Sequence, residues 1–132
     1  MLDVFDLAPK VELHLHLEGA IPRPALWSLI ERHGDETVRA PEDLEALLQY
    51  RDFAHFIETW QWLLPLVRST DDFTFIARAV AESLAAQHIV YAEASNSPTD
   101  VRQHRIPVGD IAVAVRRGLE QVEGTHVALL VD

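Results

Sequence analysis

The chain has 132 residues, 48% of them apolar and 24% charged, which suits one globular domain and excludes a disordered or fibrous polymer. Its formal charge of −10 excludes a nucleic-acid backbone or an anionic membrane as the main partner, because both need clustered Lys and Arg, and leaves a small polar or metal-bound substrate open. With no cysteine, any metal must be held by His, Asp or Glu. The opening residues Met1 to Asp6 lack a basic region followed by an apolar stretch, and no apolar run approaches ~18 residues, so the reading is a soluble, cytoplasmic protein.

Lys10 to Glu18 alternates fully, with Val11, Leu13, Leu15 and Leu17 on one face and Glu12, His14, His16 and Glu18 on the other, which predicts a strand with an apolar and an ionisable face. Gly19 ends it. Pro22 and Pro24 then open a helix to about His33, stopped by Gly34. A helix from Pro41 to about Gln49 follows, then one from Asp52 to about Val67 with Phe53, Phe56, Ile57, Trp60 and Leu64 at helical spacing and Pro65 to kink or end it. The next helix has Thr70 or Asp71 as cap and Phe73, Ile76, Ala77, Val80 and Leu84 on one stripe to about Gln87. Ile89 to Ala94 reads as a buried strand ending in a loop Ser95-Asn96-Ser97-Pro98. Pro107 to Glu123 reads as a helix closed by Gly124, and His126 to Val131 as a third strand.

Helices between strands predict an α/β fold with parallel pairing. A third strand with nothing after it leaves an open sheet edge, through which self-association is expected unless another element covers it.

The chemistry sits on the first strand. Two histidines at i and i+2 project from one face about ~7 Å apart along the backbone, and their imidazoles can converge on one ion. The bland alternative is a half-exposed edge strand whose polar face meets solvent. Against it stands the position of both histidines at the strand's carboxyl end, where α/β folds bind ligands. The aromatic stripe at Phe56, Ile57 and Trp60 has core packing as its alternative, and Glu93 has an ordinary buried pairing. The remaining histidines, His33, His55, His88, His104 and His126, have no partner at ligand spacing and read as structural or solvated.

The run Pro9-Lys10-Val11-Glu12-Leu13-His14-Leu15-His16-Leu17-Glu18-Gly19-Ala20 resembles the first-strand signature of the adenosine deaminase family, and Val90-Tyr91-Ala92-Glu93 with Ser97-Pro98 resembles its second strand. The resemblance covers essentially the whole chain and implies the N-terminal part of a (β/α)8 TIM barrel, about three parallel strands within residues 1–132. It also implies zinc-dependent hydrolytic deamination of a purine small molecule such as adenosine, adenine or a related 6-aminopurine metabolite. His14 and His16 would be metal ligands. Glu18 stands where the family carries an acidic residue near the sugar or leaving side. It is one methylene longer than the Asp of many adenosine-specific members, so branches acting on adenine or larger adenine-bearing metabolites fit at least as well. Gly19 would let the chain turn without a side chain intruding, Phe56, Ile57 and Trp60 resemble the apolar flap over the purine, and Glu93 would orient a ligand from behind. Where many relatives have arginine after the second strand's Glu-Ala, this chain has Ser95. The family's later histidine ligand, catalytic glutamate, water-polarising histidine and metal-binding aspartate belong to later strands, and none can be placed here. The competing expectation is a catalytically incomplete unit that binds metal weakly and associates through its sheet edge.

Overall fold

The computed structural model describes residues 4–96 and 105–131. A short helix α1 (Val4–Leu7) leads into strand β1 (Lys10–His16), and a 3₁₀ turn at Glu18–Ala20 follows. Helices α2 (Arg23–His33), α3 (Pro41–Leu47), α4 (Phe53–Leu63) and α5 (Thr70–Ala86) then precede β2 (Ile89–Asn96), α6 (Val108–Leu119) and β3 (His126–Val131). The three strands form one parallel sheet in the order β1-β2-β3, as helical crossovers between them require.

Local chemistry sets the helix ends. Gly34, at φ +72°, donates its amide to the Ile30 carbonyl and closes α2. Asp52 accepts the His55 amide at 2.8 Å to start α4, and Pro65 tightens its exit into a 3₁₀ turn at Leu64–Leu66. The cap of α5 is Ser69, one residue before the expected Thr70 or Asp71, because its hydroxyl accepts the Asp72 amide at 3.1 Å. The last helix stops at Leu119 and not near Glu123: Leu119 is the last residue of that stripe to be buried, and Gly124 at φ +90° shapes the turn into β3 instead of closing the helix.

The core lies between the sheet and its helices. Ala92 and Ala94 of β2 are fully buried, and such small side chains let a helix approach the strand closely. Over them α5 lays Phe73, Ile76, Ala77, Val80 and Leu84, and α6 adds Ile111, Ala114, Val115 and Leu119. Where α5 and α6 meet, a Cβ on Gly118 would stand 2.3 Å from the Thr74 carbonyl oxygen and 2.8 Å from Ala77 Cβ, so only glycine fits. The Thr74 hydroxyl donates to the Ala114 carbonyl at 3.0 Å across the same contact. No helix among the described residues is long and apolar enough to cross a membrane.

The full alternation expected of Lys10 to Glu18 does not hold. Pairing with β2 slips by one residue between Lys10 and Val11 and back again between Glu12 and Leu15. Val11 therefore pairs with Tyr91 whereas Leu15 pairs with Ala94, and adjacent partners in a sheet share a face. Val11 and Leu13 are 61% exposed, and Leu17 is wholly buried. The strand ends at His16, so Leu17 and Glu18 leave it. Strand β2, by contrast, runs two residues past its expected end at Ala94: Ser95 and Asn96 pair with Leu130 and Val131 of β3.

Candidate metal centre and adjoining cavity

His14 and His16 stand at the carboxyl end of β1 with their Nε2 atoms 3.2 Å apart and their rings tilted by 46°. Two nitrogens each bound to zinc at about 2.0–2.1 Å with a near-tetrahedral angle lie roughly 3.3 Å apart, so the pair already has the spacing of two ligands on one ion. The backbone beneath is held: Glu12 accepts the His14 amide at 3.0 Å through Oε1, beside the register slip. His16 Nδ1 lies 3.2 Å from the Ser95 hydroxyl on β2, leaving Nε2 to face His14. No third His, Asp or Glu joins them among the described residues. The pair fits as part of a metal centre.

Glu18 lies in the 3₁₀ turn, only 4% exposed, and accepts a hydrogen bond from Asn96 Nδ2. It does not share the cavity wall with His16. That wall is formed by His16, Gly19, Phe56, Ile57 and Trp60 around a space of about 210 Å³. The structure thus brings together five of the residues singled out from the sequence and sets Glu18 apart. Helix α4 buries Thr59 and Leu63 against the core, and its Phe56, Ile57 and Trp60 look across to His16 while Phe53 is 76% exposed. Core packing therefore does not explain this aromatic stripe. At Gly19 an added Cβ would sit 3.9 Å from His16 Cβ, an ordinary contact, so glycine there keeps the cavity wall low and is not demanded by the backbone turn. A wider hollow of about 480 Å³ beside Asp6, Lys10 and His88 adjoins the opposite end of the sheet.

Glu93 accepts the Tyr91 hydroxyl at 3.0 Å, and this bond to a carboxylate pushes the phenol above its ordinary pKa. The hydroxyl that lies against His16 belongs to Ser95, two residues further on. His33 donates to Asp72 at 2.9 Å, His55 Nδ1 accepts the Arg51 amide at 3.3 Å, and His126 stacks on Tyr91 at 5.9 Å. His88 adopts φ 57° in the turn before β2. His104 and the Ser97-Pro98 step lie outside the described residues. Ser95 and Asn96 are the functional candidates that sequence reasoning missed, and their one signal was the departure from arginine at position 95.

The family model for adenosine deaminase matches residues 9–130. The aminodeoxyfutalosine deaminase of Streptomyces coelicolor is 34% identical over 123 residues, covering 89% of this chain and 31% of the relative. Among solved structures, an amidohydrolase from Burkholderia ambifaria with bound Zn superposes with a TM-score of 0.81 at 27% identity, over 98% of this chain and 38% of that one. The adenine deaminase of Arthrobacter aurescens gives 0.78 at 27% identity, over 94% and 39%. The chain thus spans about a third of the length of the curated relative, and its three parallel strands with their helices correspond to part of a TIM barrel. With the signature strand, the histidine pair and a match running through all three β-strands, the chain belongs to the adenosine deaminase family.

Proposed function

We propose that this chain provides part of the metal centre and the apolar substrate wall of a zinc-dependent hydrolytic deaminase acting on a 6-aminopurine such as adenine, adenosine or a larger adenine-bearing metabolite. The observation that carries the reading is the 3.2 Å approach of His14 Nε2 to His16 Nε2 beside a cavity lined by Phe56, Ile57 and Trp60. A zinc ion, when bound, supplies a water acidic enough to act as a nucleophile near neutral pH. His14 and His16 hold that ion through Nε2. Phe56, Ile57 and Trp60 give a flat base an apolar surface and keep bulk water from the side they cover, which strengthens electrostatic interactions at the reacting carbon. Names of relatives support the substrate class, since those matched include an adenine deaminase and an aminodeoxyfutalosine deaminase.

The test is ammonia release by the zinc-supplied protein from a panel of adenine, adenosine and extended 6-amino nucleosides. Release from at least one, lost by about 10³-fold or more in His16→Ala because the ion is no longer held, is the result expected where further copies or the remaining strands complete the centre. Absence of release from every compound, with only weak metal retention, would instead assign the chain to the catalytically incomplete alternative.

A further inference from the structure

We propose that Ser95 is a positioning residue for the histidine pair, fixing the ring of His16 so that Nε2 carries the lone pair directed beside His14. The inference rests on the reading of His14 and His16 as metal ligands. Its geometry is independent of the family resemblance, which offers arginine at position 95.

Ser95 is itself held firmly. It is 9% exposed, its carbonyl accepts the Leu17 amide at 2.9 Å, and it pairs in the sheet with His16 on one side and Leu130 on the other. Its hydroxyl lies 3.2 Å from His16 Nδ1. A neutral imidazole has one N–H, and its place is set by the partner of the other nitrogen. With the proton on Nδ1 and donated to Ser95 Oγ, Nε2 is bare and available to a metal. In the metal-free chain the same tautomer lets His16 Nε2 accept from His14 Nε2–H across the observed 3.2 Å. The reverse arrangement, with the hydroxyl donating to Nδ1, would put a proton on Nε2 where the ion must sit.

Glu93, the one carboxylate of β2, is engaged by the Tyr91 hydroxyl. A hydroxyl in this role fixes the ring's orientation from the strand without placing a carboxylate charge beside the centre.

The experiment measures two quantities on the wild-type chain, Ser95→Ala, Ser95→Thr and His16→Ala. One is Zn²⁺ affinity by chelator competition. The other is the His16 tautomer in the metal-free chain by long-range ¹H–¹⁵N NMR. The expected wild-type tautomer has its proton on Nδ1. Ser95→Ala should lose that preference and bind Zn²⁺ about 10–100-fold more weakly, and Ser95→Thr should restore both, as loss and repair of a ligand's hydrogen-bond partner predict. Unchanged affinity in Ser95→Ala, or a wild-type proton on Nε2, would overturn the proposal while His16→Ala still abolished binding. Binding that survives His16→Ala would overturn the ligand reading, and the proposal with it.

Discussion

The α5–α6 seam behind the sheet and the carboxyl ends of β1 and β2 are built on opposite terms. At the seam, Gly118 meets the Thr74 backbone with no room for a methyl, and Ile76, Ala77 and Val115 are essentially inaccessible to solvent. At the strand ends, His14 and His16 are exposed and Phe53 protrudes from α4. Folding is sustained by close apolar contact at the first place, while the second holds polar and aromatic groups whose arrangement adds little to stability. Residues that the fold does not need at its strand ends are free to serve a ligand.

Substitutions ranked by their effect on stability should trace that division. Gly118→Ala should cost the most, about 3 kcal/mol, the upper end for forcing a methylene into a packed interior. Thermal unfolding should show its midpoint lowered by roughly 10 °C, with metal affinity of the folded variant unchanged. An unshifted midpoint would mean that α5 and α6 separate freely.

Asp72→Asn comes next. Asp72 is buried at the start of α5 and accepts from Arg32 at 2.5 Å, His33 at 2.9 Å and the Arg68 amide at 2.9 Å. Burial by itself would raise its pKa, but the Arg68 amide, the Arg32 guanidinium and the His33 ring outweigh it and hold the carboxyl below its usual value. Between the folded and unfolded values the unfolded chain binds more protons. This contribution is therefore complete above about pH 4 and is lost as pH falls through the lowered folded value. Losing these charge-assisted bonds should cost about 2 kcal/mol at neutral pH. Denaturant titrations at pH 7 and pH 3 should show the gap between wild type and Asp72→Asn narrowing in acid, and a constant gap would dismiss the ion cluster as the cause.

His14→Ala should have the smallest effect, within about 0.5 kcal/mol for an exposed side chain, yet should remove most metal binding. Urea unfolding and Zn²⁺ titration on the same sample would read both. A large stability loss would erase the contrast between seam and strand end.

Much of this was legible in the sequence because two periodicities were clean. The stripe Phe73-Ile76-Ala77-Val80-Leu84 marked the buried face of α5, and the spacing of His14 and His16 put two imidazoles on one side of β1. Other features depend on partners that a linear pattern does not contain. The slip between Glu12 and Leu15 is a property of the pairing with β2, so Val11 and Leu13 read as core residues although they are exposed. Ser95 and Asn96 are turn-forming residue types, and pairing keeps them in a strand, Ser95 between His16 and Leu130 and Asn96 beside Val131. Glu18 seemed to continue the histidine row, but the chain leaves the strand after His16 and Asn96 holds its carboxylate. Gly118 falls inside the helix expected from Pro107 to Glu123, and the nearness of Thr74, 44 positions earlier in the chain, gives it its role.

At the opposite end of β1, Lys10 donates its ammonium to the carbonyls of Asp6, Ala8 and Gln87 at 3.1, 3.1 and 2.9 Å, joining the entry of β1 to the exit of α5. It is also the sequence's single lysine. An amine-selective acylating reagent consequently has one ε-amino target, and acylation there requires these bonds to open. The rate at which one acyl mass is added at Lys10 is a built-in clock for the opening of the sheet's lower rim.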